Sequence, residues 1–293
     1  MLALDRIKTL LDQRGIRSVL GPVSSSLARC HRRGVKRIFY DDGIWMHETE
    51  TGYFAYHQPF LGLDLKCLDE SSRENFFWKY WPRPGDVVVD IGAGVGEETL
   101  SFSRAVGPLG KVICVEAHPR TYHCLEKLVQ YNSLTNVICV HRAIADIPDA
   151  TAMIIDSRTY VGNRLSSVKG KPVQATTVDA LHRELSLGRI HFLKMNIEGA
   201  ERLAIRGMSE ILKQTEVVCI SCHDFLAMRS GDDSVRTKNE VRHFLLESGI
   251  KIFERTAGRP CIRDQVWGLN QQLMRNFGPG HGEYGKPVKP SEQ

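Results

Sequence analysis

No run of about 18 uncharged apolar residues occurs in this 293-residue sequence, which argues against a membrane-spanning helix. The opening stretch, MLALDRIKTLLDQRG, is broken by Asp5, Arg6 and Lys8, so it has no apolar core of the kind a secretory signal needs. A cytoplasmic protein is therefore expected. Eight cysteines are present, but only Cys219 and Cys222 form a CxxC pair, and without a second pair a zinc or redox site is disfavoured. Cys114, Cys139 and Cys219 sit in apolar runs, where a free thiol behaves as a small buried hydrophobe. Internal repeats are missing too, which removes solenoid and propeller architectures. The net charge of +5 is uneven: residues 1–37 carry nine Lys or Arg against Asp5 and Asp12. That segment suits an anionic partner, although solvated helix faces have the same composition.

The chain is rich in one thing that matters, a glycine turn after an apolar strand: VVVDIGAGVGEET, residues 87–99. Gly92, Gly94 and Gly96 give a backbone that can turn sharply and lie directly against a ligand. The dinucleotide fingerprint has GxGxxG spacing and places a diphosphate on the next helix N-terminus. Here the spacing is GxGxG and Asp90 precedes it. A carboxylate at this point would repel a diphosphate and suits a ligand carrying an ammonium and a sulfonium. KVICVE, residues 111–116, reads as a second strand, and its Glu116 falls 20 residues after Gly96, the offset expected of a ribose-binding acid.

From residue 85 onward strand and helix patterns alternate: strand 86–91, helix 97–106, strand 111–116, helix 119–131, strand 136–141. Alternation implies βαβ crossovers and a parallel sheet. An irregular stretch with an apolar run at 152–155 and a polar loop at 160–172 follows, then a helix at 178–185 introduced by Thr176 or Thr177. Strand 190–197, helix 200–213, strand 216–222, helix 234–248 and an antiparallel pair at 250–255 and 262–269 complete the domain. Before it, helices are expected at 2–13 and 24–33, hairpins at 36–59, and an aromatic-rich helix at 70–81 whose Phe76, Phe77, Trp78, Tyr80 and Trp81 read as core or as rings closing over a ligand. Residues 278–290 contain seven Gly or Pro in thirteen and read as disordered. The division expected is an accessory, substrate-cap segment at 1–81, a cofactor domain at 82–270 and a tail at 271–293.

Together VVVDIGAGVGEET, KVICVEAHP, HRAIAD, TTVDAL and above all LKMNIEGAE (193–201) resemble, in order, the FkbM-type family of S-adenosylmethionine-dependent methyltransferases over roughly residues 82–225. The resemblance implies an α/β, Rossmann-like, seven-stranded mixed sheet with its last strand antiparallel and helices on both faces, preceded here by an N-terminal α+β segment. It implies that Asp90, Gly92, Ala93, Gly94 and Gly96 line the methionine and ribose of S-adenosylmethionine, that Glu116 and Ala117 meet the ribose, and that Ala143 lies near the adenine, with Asn196 also at the cofactor. The family more often has Asp where this chain has Asn196. That departure weakens a divalent-metal mechanism, because hard cations prefer several carboxylates, and no metal is expected.

Strand alternation puts Lys194, Asn196 and Glu198 on one face, with the last two at the carboxyl end where this fold presents chemistry. Glu198 either caps the next helix or contacts a ligand. Asn196 lacks the Pro-Pro-Tyr that follows it in amino-group methyltransferases, so transfer to oxygen is preferred. Oxygen transfer requires an in-line hydroxyl relieved of its proton. His223, with Asp224 beside it, is the expected base, and Lys194 and Glu198 complete the catalytic set; Tyr56 and His57 are weaker candidates. The expected acceptor is a hydroxyl of a small molecule or sugar. Nucleic acid is disfavoured as substrate, although an RNA methyltransferase using the basic N-terminus, a non-catalytic cofactor-binding scaffold and an NAD-dependent dehydrogenase are alternatives, and a homo-oligomer is compatible with all of them.

Overall fold

A computed structural model describes residues 14–30, 34–59, 72–155, 164–166 and 170–275. The helix expected at 2–13 and the tail at 278–290 lie outside the described residues.

At the centre are strands that are apolar on both faces, as a sheet covered by helices on each side requires. They are β4 (Val87–Ile91), β5 (Lys111–Glu116), β6 (Val137–His141), β11 (Ile190–Met195), β12 (Thr215–Ser221), β13 (Lys251–Phe253) and β14 (Gln265–Leu269). Their spatial order is β6-β5-β4-β11-β12-β14-β13, a seven-stranded sheet. β14 runs antiparallel to both β12 and β13, while β4, β5, β6, β11 and β12 are mutually parallel. The order reverses beside β4, so the carboxyl ends of β4 and β11 flank the point where such folds bind ligands.

One face of the sheet packs Val89, Ile113, Leu193 and Ile220 against α4 (Val178–Glu184), α6 (Ser209–Leu212) and α8 (Lys238–Glu247). The other packs Val88, Val112, Phe192 and Trp267 against α2 (Glu97–Val106), α3 (Pro119–Tyr131) and the aromatic segment 76–81. There Tyr80 stacks on Phe192 at 4.5 Å, and Phe192 stacks on Trp267 at 5.8 Å. The helix expected at 70–81 is helical only over 72–76 among the described residues; the aromatics beyond it reach the sheet from irregular chain.

The N-terminal part is a helix, α1 (Arg14–Cys30), on a three-stranded antiparallel meander, β1 (Val35–Asp41), β2 (Ile44–Thr49) and β3 (Tyr53–Tyr56). Asp42 and Gly43, both at positive φ (44° and 88°), make the two-residue turn that suits strand twist. The meander shares a core with the main domain, because Ile44, Met46 and Phe54 pack on Leu100 of α2 and Leu128 of α3. Asn132 pins it by donating to Tyr53 O at 2.7 Å and accepting from Tyr53 N at 2.9 Å.

Several boundaries differ from the sequence expectation. The irregular stretch after β6 is a second, four-stranded sheet in which β7 (Ala143–Ile144), β10 (Lys171–Thr176), β8 (Thr151–Ile155) and β9 (Arg164–Ser166) lie in that order. The helix expected at 200–213 is broken into α5 (Glu201–Ala204), a 3-10 turn Ile205–Gly207 and α6. Two contacts impose the break. Gly207 lies so close to Thr177 that a Cβ would sit 2.6 Å from that side chain, and the Asp179 carboxylate accepts from Glu210 N and Ile211 N at 3.0 and 2.8 Å, starting α6 afresh. A helix absent from the sequence expectation, α7 (Asp224–Ser230), follows β12, and the strand expected at 262–269 begins only at Gln265, after a short helix, α9 (Pro260–Arg263), opened by its proline.

Candidate functional site

β4 delivers the chain into the glycine turn, where Gly92, Gly94 and Gly96 all have positive φ (76°, 60° and 90°). At Gly92 the need for glycine is steric as well, since a Cβ would lie 2.0 Å from Asn196 O. The glycine turn and the turn after β11 are therefore packed backbone to backbone. Gly92 N and Ala93 N donate to Val115 O (2.8 and 3.0 Å), and Gly94 N donates to Glu116 Oε2 at 3.0 Å. Glu116 Oε1 accepts from His118 N at 2.7 Å. The carboxylate is thus fixed at the end of β5, and burial pushes its pKa up to about 7.

A cavity of roughly 520 Å³, within the size of small-molecule sites, opens at the carboxyl ends of β4, β5, β11 and β12. Of the residues selected from sequence, Gly92, Ala93, Gly94, Glu116, Ala117 and Ala143 line it, as do Lys194, Asn196, Glu198 and His223. Asp90, Gly96 and Asp224 are not on its wall. Residues without a sequence signal also line it, among them Glu97, Glu98, Arg142, Phe225 and Gln265. Glu98 stands partly buried there, and desolvation pushes its pKa up to about 7. From the meander, Tyr56 reaches the wall indirectly by donating to Glu97 Oε1 at 3.2 Å.

Asp90 and Lys194 form one closed unit. The Lys194 Nζ lies 2.7 Å from Asp90 Oδ1 and donates to Gly92 O at 3.0 Å, with both side chains essentially inaccessible. Asp90 holds the Lys194 ammonium above its ordinary pKa against the opposing effect of burial. The negative charge that the sequence places beside the glycine turn is therefore neutralised by Lys194, and the other carboxylates lining the cavity belong to Glu97, Glu98, Glu116 and Glu198.

The second unit is built on His223, 4% exposed, at the end of β12. Its Nδ1 is 2.9 Å from Glu201 Oε1 and its Nε2 is 3.2 Å from Glu198 Oε1. These carboxylates, and not the adjacent Asp224, hold the ring. Asp224 instead accepts from Thr237 N and Lys238 N (2.9 and 3.1 Å) and caps α8. Burial alone would lower the His223 pKa, but Glu201 and Glu198 raise it to about 10, so the ring is an imidazolium at neutral pH. Glu198 does not cap the following helix: α5 has no side-chain cap, and Gly199 N donates to Glu201 Oε1 at 3.2 Å. Glu198 adopts φ 53°, a left-handed conformation that costs a non-glycine residue about 1–3 kcal/mol and recurs at functional sites. Its side chain keeps 16% of its surface toward the cavity.

The donor and acceptor set fits S-adenosylmethionine. Glu116 is an oriented acceptor for a diol, the glycine turn allows close backbone approach, and the acidic wall suits a sulfonium and an ammonium. Among the described residues no group of three or more His, Cys, Asp or Glu is arranged to hold a metal ion, and no helix is long and apolar enough to cross a membrane.

Comparison with known proteins follows the same lines. The family model described as Methyltransferase FkbM domain matches residues 90–250. A tRNA (adenine(58)-N(1))-methyltransferase catalytic subunit from Yarrowia lipolytica is 37% identical over 82 residues, 25% of this chain and 21% of that one. Its counterpart in Cryptococcus neoformans is 39% identical over 62 residues, 21% and 14% of the two chains. This chain thus spans about a fifth or less of those curated relatives. Among solved structures, the methyltransferase FkbM from Methylobacillus flagellatus KT is 14% identical with a TM-score of 0.45, covering 70% of this chain and 50% of that one. Aeropyrum pernix fibrillarin, solved with natively bound S-adenosyl-L-methionine, is 14% identical with a TM-score of 0.45, covering 79% and 97%.

Proposed function

The chain belongs to the FkbM methyltransferase family and is an S-adenosylmethionine-dependent methyltransferase, and from that premise we propose that it methylates a hydroxyl oxygen of a small molecule or sugar. The observation that carries this reading is the Glu198–His223 pair at the cavity wall: a carboxylate on a left-handed turn, held by a buried histidine, at the carboxyl end of β11. S-adenosylmethionine supplies a methyl group on a sulfonium, a good leaving group, so the protein must chiefly position the acceptor and remove its proton.

Gly92, Ala93, Gly94 and Asn196 form the cofactor's backbone cradle in this reading, Glu116 and Ala117 receive the ribose, and Ala143 borders the adenine. Asp90 and Gly96 act from behind, the first by fixing Lys194 and the second by starting α2. Glu198 takes the hydroxyl proton through the oxygen not bonded to His223. His223, already protonated at both nitrogens, orients Glu198 through Nε2. Lys194 and Asp224 position the turns and do not touch the reacting atoms. A cytosolic location belongs to the same reading, supported by the buried free thiols of Cys114, Cys124, Cys219 and Cys222.

Methylation of tRNA is the competing reading, favoured by the partial matches to tRNA methyltransferases and by the basic segment at 1–37. The cavity opposes it, because Glu97, Glu98, Glu116 and Glu198 outnumber Arg142 on its wall, with Lys194 and His223 already paired, and would repel the phosphates flanking a target base. Incubation with methyl-labelled S-adenosylmethionine, a panel of sugars and small alcohols, and bulk tRNA separates the two. Label transferred to a hydroxyl compound and not to tRNA is expected; transfer to tRNA, with binding that weakens steeply as salt rises, would overturn the proposal.

A further inference from the structure

Glu201 lies outside the cavity wall and is fully buried, yet its carboxylate collects three donors from three segments. Oε1 is 2.9 Å from His223 Nδ1, at the end of β12, and 3.2 Å from Gly199 N, in the turn after β11. Oε2 accepts from Thr237 Oγ1 at 3.0 Å, at the start of α8, and Thr237 is itself fully buried. Gly199 has φ 98°, and a Cβ there would press on Val235 at 3.0 Å, so the turn carrying Glu198 has little freedom to relax around its hub.

We propose that Glu201 is a positioning residue for methyl transfer: by gripping His223 through Nδ1 and the Gly199 amide together, it aims Nε2 at Glu198 and holds Glu198 toward the acceptor. The proposal rests on the reading of Glu198 as the group that receives the acceptor's proton. It separates two roles that a buried acid can combine. The Gly199 amide needs only an acceptor oxygen, which a glutamine supplies at the same length, and the Thr237 hydroxyl can turn to accept from the glutamine NH2 that replaces Oε2. The ring needs the negative charge, because a neutral acceptor cannot compensate a buried imidazolium. The other charged groups that act on the ring are Glu198, in contact through Nε2, and Asp264 at longer range, while Asp224, next in the chain, is bonded to the start of α8. Only Glu201 combines contact with complete burial, so its charge is the least screened of the set.

The balance of the step is simple. The acceptor O–H proton passes to Glu198, the oxygen–methyl bond forms as the sulfur–methyl bond breaks, and the proton leaves from Glu198 to water after product departs. Glu201 and His223 exchange no proton with substrate.

The test is Glu201→Gln, with the His223 ring followed by NMR of histidine-labelled protein and cofactor-site integrity followed by binding of S-adenosylhomocysteine. The ring midpoint is expected to fall from about 10 by two or more pH units, with S-adenosylhomocysteine affinity within about twofold of wild type. An unmoved midpoint would overturn the proposal. Should the variant fail to fold, the wild-type protein still decides: both ring nitrogens of His223 are expected to carry protons at pH 8, and a single neutral tautomer there would overturn it. Glu198→Gln isolates the underlying reading. If that variant turns over a panel acceptor at the wild-type rate, Glu198 is not the proton acceptor, whatever the ring does in Glu201→Gln.

Discussion

Two cations are buried at the ends of neighbouring strands, and they have opposite surroundings. Lys194, in β11, faces one carboxylate and one carbonyl, with the Phe76 ring 5.1 Å from its ammonium. All its neighbours lie in regular or tightly turned backbone. His223, just past β12, bridges one carboxylate that is wholly enclosed and another on the cavity wall, and the latter belongs to a residue with left-handed backbone. Burial and a perturbed pKa are common to both units. Both reach the cavity wall, through Lys194 and through Glu198, but appreciable exposure and a left-handed non-glycine backbone belong to one. A buried charge is thus a poor indicator of chemistry by itself; a buried charge coupled to an accessible, strained partner is a better one.

The largest effect that would sharpen this contrast is on stability. Lys194→Met leaves the enclosed Asp90 carboxylate without its cation, and is expected to lower the unfolding free energy by about 3–5 kcal/mol in denaturant titration. A variant as stable as wild type would show that the unit is dispensable. Next comes Glu198→Gln, expected to reduce turnover by roughly 10²–10⁴-fold while leaving the denaturation midpoint and cofactor affinity close to wild type. Loss of stability in place of turnover would make the two units equivalent and dissolve the contrast.

The pH response should separate them further. The folded His223 pKa of about 10 exceeds its ordinary 6.5, so the stabilisation it contributes is fully present below pH 6.5 and disappears as pH rises toward 10. Glu201 is depressed below its ordinary 4.5, with the desolvation that would raise it outweighed by His223; its contribution is present above 4.5 and is lost as pH falls through the folded value. The stability difference between wild type and His223→Gln should therefore shrink steadily from pH 6.5 to 10. A constant difference would show that the ring is neutral. The smallest expected effect is at the cofactor end, where Glu116→Gln should weaken S-adenosylmethionine about tenfold or more by calorimetry. Glu98 and Glu116, both near pKa 7 in the free protein, should lose protons when a cation enters, so binding should tighten between pH 6 and 8 and release protons to the buffer. The Lys194–Asp90 unit should be silent in that measurement.

Local signals were the readable ones. The helices at 97–106 and 119–131 and the strand at 111–116 agree with the expectation to the residue, because glycine, proline and apolar continuity mark those ends within a few positions. Gly92, Glu116 and Asn196, which line the cavity, lie in segments marked in the same local way. What the sequence concealed depends on distant partners. The break at Ile205–Gly207 needs Asp179 from another helix, and the cavity's Glu97 and Glu98 look like ordinary acids in a first helical turn. Adjacency pairs Asp224 with His223, but Asp224 opens one helix and spends its carboxylate on the first amides of another. The true partner, Glu201, lies 22 positions earlier and was already visible as the last residue of LKMNIEGAE, with nothing local to connect it to a histidine.

The bond from Lys194 to Gly92 O joins positions 102 residues apart, and it sits at the junction of the glycine turn with the turn after β11. Its consequence is kinetic. Closing a loop of that length costs about 2 kcal/mol more chain entropy than closing one of ten residues, so contacts of this kind form late in folding. During synthesis the strand carrying the glycine turn emerges long before β11. Until β11 arrives, Asp90 has no cation, Gly92 has no backbone to rest against, and the edge of β4 that will pair with β11 stays open. The cofactor cradle is therefore a product of chain completion, assembled only after the middle of the chain has been made.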